Sequence, residues 1–206
     1  MAKPVMEIVL ATRNPHKMLE FKRLLGRLPV RWRTLADLQI DTEVAEKGAS
    51  FAANAAYKAR EYCRMSGITT LADDSGLTVD ALGGRPGVHS ARYAGAGATQ
   101  AEQWRQLLHE LQAVCWEQRS AQFRCALALA RPGNQKLLTS QGVCPGLVAL
   151  QPSGTSGFGY DPLFYLLKHA VTMAELTPEQ KDRISHRGRA ARAIVPQITT
   201  LLVGES

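Results

Sequence analysis

The chain has 206 residues, 45% apolar, 21% charged and 6% aromatic. That is the composition of an ordinary globular protein and excludes a wholly disordered or fibrous one. Folding at this length buries roughly 70% of the unfolded chain's surface, and no apolar run reaches the ~18 residues a spanning helix needs, so a membrane-spanning protein is excluded. The net charge of +7 is local, with seven basic residues against Glu20 from Arg13 to Arg33, and five with Asp182 and His186 from Lys181 to Arg192. Such clusters attract polyanions, whether nucleic acid or free nucleotide, or stand as solvated faces.

The start of the chain does not read as an export signal. Lys3 is followed by a short apolar stretch broken by Glu7 and closed by Arg13, so a cytoplasmic location is expected. Cys63, Cys115, Cys125 and Cys144 are widely spaced without a CxxC, which favours reduced, mostly buried thiols over a zinc or redox site.

Residues 7–12 (EIVLAT) form an apolar, β-branched run that predicts a buried strand. A helix should follow, with Asn14 as N-cap, Pro15 at its first position, and Met18, Phe21, Leu25 and Leu28 as its apolar stripe. Residues 29–33 fit a return strand, and 34–49 are polar and acidic. A second helix is expected over 50–65, started by Ser50 and ended near Gly67; Ser50, Asn54 and Lys58 form a polar row at four-residue spacing. Residues 69–73 read as a strand entering an Asp74-Ser75-Gly76 turn, with 78–81 extended and 83–87 a loop.

Thr99 and Glu102 form a capping box opening a helix to about Val114. Segments 122–130, 136–143 and 146–150 read as strands around a turn at Pro132-Gly133, and 152–162 is a glycine-rich loop. Thr177-Pro178-Glu179 starts a short helix. A last helix runs from His186 towards Val203, where Pro196 should kink or interrupt it. No linker or repeat divides the chain, so one domain (residues 1–206) of α/β or α+β class with a central mixed sheet is expected.

Five stretches carry chemistry. Thr12, Arg13, Asn14, Pro15, His16 and Lys17 form a strand-to-helix junction, where helix N–H groups and the dipole suit phosphate, although a plain N-cap with a solvated lysine explains the same residues. Asp73 and Asp74 end an apolar strand and point to opposite sides. A bare carboxylate ~4 Å from a phosphate charge costs about 4 kcal/mol at an effective dielectric near 20. Asp74 therefore needs magnesium or must act on water, unless it is a turn former. Glu43 and Glu46 precede the second helix, and Glu46 lies within reach of Asn54 and Lys58 if the chain turns there. Phe158, Gly159, Tyr160 and Asp161 sit among glycines that let backbone approach a ligand, with two flat rings and one acceptor. Lys181, His186 and Arg187 supply donors, whereas Arg183, Arg189 and Arg192 read as a solvated face.

In this order the stretches LATRNPHK (10–17) with Glu20, EKGASF (46–51) with NAAYKA (54–59), ADDSGL (72–77), GGRPG (83–87) with SARY (90–93), GFGYDP (157–162) and AELTPEQK (174–181) through ISHRG (184–188) resemble the non-canonical purine nucleoside triphosphate pyrophosphatases, the inosine/xanthosine triphosphate pyrophosphatase family. The resemblance spans nearly the whole chain. It implies a homodimer with a long central mixed sheet, two lobes around a nucleotide cleft, and magnesium-dependent hydrolysis of ITP, dITP and XTP to monophosphate and pyrophosphate. It further implies that residues 12–17 bind the triphosphate and that Asp74 accepts the proton and ligates magnesium, with Glu46 as second metal ligand. Lys58 and Ser75 would contact the nucleotide, and Phe158, Gly159, Tyr160, Asp161, Lys181, His186 and Arg187 would hold base and sugar. Two departures stand out: relatives often carry a small residue in place of Arg13, and Pro196 falls in a helix usually continuous.

Paired with a 6-carbonyl, polar groups of the base site reject adenine's 6-amino group at about 1–3 kcal/mol per unpaired donor. Two rivals remain: a pyrophosphatase for modified pyrimidine triphosphates, and a basic nucleic-acid-binding module, which leaves Asp74, Glu46 and the 158–161 loop unexplained.

Overall fold

The computed structural model describes residues 5–204; Lys3 lies outside them. Seven strands form one mixed sheet in the order β2-β1-β3-β4-β5-β6-β7. The strands are β1 (Glu7–Ala11), β2 (Arg31–Thr34), β3 (Thr70–Val79), β4 (Ser120–Arg131), β5 (Asn134–Val148), β6 (Phe164–Leu166) and β7 (Val171–Thr172). The helices are α1 (Pro15–Leu25), α2 (Phe51–Ser66), α3 (Gln100–Glu110), α4 (Pro178–Ile184) and α5 (His186–Gly204). β1 pairs in parallel with both β2 and β3, whereas β5, β6 and β7 pair antiparallel. The mixed α/β class expected from the element order is therefore observed.

The chain packs as two compact units. The first runs to Asp74 and adds Cys125–Gly142 and the chain from Arg187 onward; the second comprises Ser75–Arg124 and Val143–His186. In the first unit, one core joins Ile8, Leu10, Phe21, Leu25, Leu71, Leu127, Ile194 and Ile198, and another joins Val9, Ala55, Ala59, Tyr62, Ala72 and Ala128. Alternate residues of β1 thus feed opposite faces, as pleating requires. The second unit is built on Leu77, Leu107, Phe123, Tyr160, Leu163, Phe164 and Met173.

Most predicted elements stand where the sequence placed them, and four expectations are corrected. β3 runs straight through Asp74-Ser75-Gly76 instead of turning. Gly76 is there for space: a Cβ at that position would lie 2.3 Å from Ser90 Oγ, which accepts from Leu77 N (2.9 Å) and donates to Gly87 O (2.6 Å). Two short strands expected over 136–143 and 146–150 are one, β5, despite Pro145. That residue is exposed, and β6 meets β5 only at Leu147 and Val148, so no β6 acceptor needs a proline N–H.

α3 keeps its capping box but ends at Glu110, short of Val114. α5 continues through Pro196 without interruption. Pro196 lies on the exposed face while Ile194 and Ile198 are fully buried, so packing of the inner stripe outweighs the lost hydrogen bond. The four cysteines are free thiols, all buried except Cys115.

Candidate active site

In the first unit the strand-to-helix turn at residues 12–17 is closed by its own side chains. Asn14 Oδ1 accepts from His16 N (2.9 Å) and Lys17 N (3.2 Å), and Thr12 Oγ1 accepts from Asn14 N. Asn14 is thus the predicted N-cap, with Pro15 behind it at the helix start and His16 exposed. Lys17 Nζ reaches from α1 to Asp73 Oδ2 at 2.7 Å. Arg13 points away from that pair, donating to Ile40 O and Thr42 O.

Pleating sends the next residue, Asp74, to the opposite side of β3. Its Oδ2 accepts from Asn54 Nδ2 (2.9 Å), and Lys58 Nζ stands 3.7 Å from its Oδ1. The same ammonium holds Glu46 Oε1 at 2.6 Å. α2 delivers Asn54 and Lys58 one turn apart, and both are buried, whereas Ser50, the third member of the expected polar row, is exposed and caps the helix. Asn54 also anchors the incoming loop by accepting from Gly48 N (2.7 Å), where any Cβ would fall 2.6 Å from Asn54 Oδ1.

The two acids differ electrostatically. Burial pushes Asp73 up, but Lys17, Lys58 and Arg187 overcome it and hold the carboxyl at about 2. Burial pushes Asp74 up to about 6, with Glu46 adding to the rise, and Lys58 and the Asn54 bond only partly offset it. Burial also works to lower Lys58, but Asp73, Asp74 and Glu46 leave it raised above the usual lysine value. Arg187 forms a buried pair with Glu20 at 2.8 Å.

Among the described residues, no cluster of three or more His, Cys, Asp or Glu side chains is arranged to hold a metal. What the unit offers is two carboxylates, Glu46 and Asp74, both approached by one cationic nitrogen. This donor set suits magnesium, which is held by one or two carboxylates and completes its shell with water and substrate phosphate.

In the second unit the glycine-rich loop is tied down from below. Asp161, 2% exposed, accepts from Phe158 N (2.7 Å) and from Lys181 Nζ (2.5 Å). Lys181 Nζ also lies 5.0 Å from the Phe158 ring centre. Gly157 adopts φ +79°, and a Cβ there would sit 2.1 Å from Asp161 Oδ2, so only glycine permits this anchor.

Tyr160 does not offer the flat face expected of it. It is 4% exposed, packs in the core, and donates to Ser90 O (3.1 Å). Phe158, half-buried, is the aromatic side chain of this loop that keeps an accessible surface. Trp104 Nε1 donates to Gly159 O (2.8 Å) and braces the loop from α3. His186 is buried and stacks on Phe123 with ring centres 4.7 Å apart, and Ser75 is half-buried on β3.

Sequence reading did not assign roles to Asn54, Glu20 or Trp104. Asn54 was signalled by its polar row and Glu20 by its lone acidity in a basic helix; nothing local distinguishes Trp104.

A lysine-bridged pair of acids and a capped strand-to-helix turn, on a mixed parallel and antiparallel sheet, mark this as an α/β protein with a buried charged site. The Ham1 family model matches residues 8–197, and the chain belongs to that family. It is 47% identical to the dITP/XTP pyrophosphatase of Geobacillus kaustophilus over 97% of both chains, and 46% identical to that of Geobacter sulfurreducens over 89% of this chain and 92% of the relative. A solved HAM1 protein from Coxiella burnetii matches with a TM-score of 0.86 and 41% identity, covering 97% of this chain and all of the other. The Ham1 protein of Staphylococcus aureus matches with a TM-score of 0.83 and 36% identity over the same shares.

Proposed function

We propose that this chain hydrolyses deaminated purine nucleoside triphosphates, ITP, dITP and XTP, to the monophosphate and pyrophosphate. The observation that carries the reading is Asp74, buried and hydrogen-bonded to Asn54, sharing Lys58 with Glu46. The relatives named dITP/XTP pyrophosphatase support the substrate class, and the family match over 8–197 supports one functional domain.

Magnesium held by Glu46 and Asp74 would neutralise phosphate charge and lower the pKa of a bound water. Asn54 fixes the Asp74 carboxyl, which is placed to accept a proton from water attacking the phosphate chain. The Lys58 ammonium keeps the two acids close before substrate arrives and adds positive charge for the triphosphate. Lys17, on its own side of β3, is anchored by Asp73 at the turn where the phosphates would bind, alongside Asn14 and Thr12. In the second unit Phe158 would stack on the base, and Lys181 and His186 lie in the segments that would read its 6-carbonyl.

Free nucleotide is favoured over nucleic acid because Lys17, Lys58, Lys181 and Arg187 each engage a carboxylate within the chain instead of forming an open basic track. No described helix is long and apolar enough to cross a membrane. Homodimerisation rests on the family resemblance. The test is turnover of ITP, XTP, GTP and dUTP with and without magnesium, reading monophosphate and pyrophosphate. ITP and XTP should exceed GTP with one pyrophosphate per turnover; preference for dUTP, or release of orthophosphate, overturns the reading.

A further inference from the structure

Glu46 stands on residues 39–48, a stretch with no helix or strand of its own. Such a stretch places a carboxylate accurately only if other groups hold its backbone. Gln39, at φ 54°, turns the chain out of the 3-10 turn Ala36–Leu38. Arg13 then grips the loop with one guanidinium nitrogen, donating to Ile40 O (3.0 Å) and Thr42 O (2.9 Å). Tyr62 Oη, on α2, donates to the same Thr42 O (3.3 Å) and accepts from Val44 N (3.2 Å). Two residues later Glu46 meets Lys58, and at Gly48 the loop is tied to Asn54.

Arg13 itself sits between Thr12, whose Oγ1 accepts from Asn14 N, and Asn14, whose side chain caps α1, so its backbone is fixed at the phosphate turn. Its Nη2 is engaged by loop carbonyls, which accept from it without competing for its charge.

We infer that Arg13 is a positioning residue that clasps the acidic loop to the phosphate turn and thereby sets where Glu46 stands, acting on cation binding and not as a ligand of the triphosphate. Tyr62 is the second jaw of the clasp. The inference rests on the function proposed above for Glu46. It gives the large, exposed Arg13 a task that a small residue at this position lacks the reach to perform.

The test uses the whole chain with Arg13→Ala, Arg13→Lys and Tyr62→Phe, and three readouts. Amide hydrogen exchange is measured on metal-free protein, manganese binding by electron paramagnetic resonance without nucleotide, and KM for ITP at saturating magnesium. Arg13→Ala should speed exchange over 40–46 while leaving β3 protected. It should weaken manganese binding about tenfold, the low end for groups that orient metal ligands, and leave KM within about twofold. Arg13→Lys should fall between, since one ammonium copies the planar donor only in part, and Tyr62→Phe should move exchange and manganese binding in the same direction. Unchanged exchange and manganese binding overturn the clasp, and a raised KM in that case makes Arg13 a phosphate ligand. A wild-type chain that binds manganese but leaves ITP intact overturns the proposed function instead, with the exchange and manganese readouts still judging the clasp.

Discussion

Asp73 and Asp74, adjacent in β3, are held in opposite states of proton affinity. Asp73 faces Lys17 at 2.7 Å and stays at about 2, while Asp74 faces Asn54 and rises to about 6. Neither sequence distance nor residue type separates them; the pleat does. One acid becomes a fixed anion anchoring a lysine, and the other can take up a proton near neutral pH.

Asp74→Asn should therefore abolish turnover. The loss of a proton acceptor and a metal ligand together predicts a fall of at least about a thousandfold in kcat, within the range for a positioned general base. Steady-state pyrophosphate release from ITP measures it; activity within tenfold of wild type removes Asp74 from the chemistry.

The same substitution should stabilise the metal-free protein, in a pH-dependent way. Because the folded value of Asp74 lies above its unfolded value of 3.8, folding favours the protonated form. The penalty is absent below about pH 4, grows as pH rises through 6, and is complete above it. A two-unit difference corresponds to roughly 3 kcal/mol at most. Urea midpoints at pH 4 and pH 8 with chelator should show Asp74→Asn near wild type at the lower pH and more stable at the higher. A constant difference across that range contradicts the assigned shift.

Lys17→Met should raise KM for ITP and also destabilise the fold by about 2 kcal/mol, since Asp73 is buried and would keep its charge with only the more distant Lys58 and Arg187 to help. Adding Asp73→Asn should restore stability without restoring KM. Recovery of both in the double variant makes the pair purely structural.

Trp104→Phe keeps the ring and removes the bond to Gly159 O. A loss near 1 kcal/mol in stability is expected, with a reduced ITP-to-GTP preference because the Phe158 loop is no longer fixed. Retention of the full preference in the folded variant excludes Trp104 from base selection.

Much of this arrangement was readable from residue order. Asn14-Pro15, Ser50 with Gly67, the Thr99 box and Thr177-Pro178 mark helix ends by local geometry, so they appear in the chain itself. The opposed directions of Asp73 and Asp74 follow from strand geometry alone. What could not be read depends on long-range packing. Asp-Ser-Gly has turn-like composition, but the sheet keeps it extended. Tyr160 looks like a stacking ring until its hydroxyl finds Ser90 O, seventy residues away along the chain. Arg13 resembles a phosphate donor until a loop about thirty residues downstream folds onto it.

β1 and β3 are aligned with Val9 opposite Thr70, Leu10 opposite Leu71 and Ala11 opposite Ala72. Sliding that alignment by one residue would reverse the faces of the neighbouring aspartates, turning Asp74 towards Lys17 and Asp73 towards Lys58. The apolar side chains around them would trade faces as well, so the mistake would be expelled by the core before it could impair the chemistry. Proofreading of the two acids is thus delegated to alanine, leucine and valine, residues with no part in the reaction.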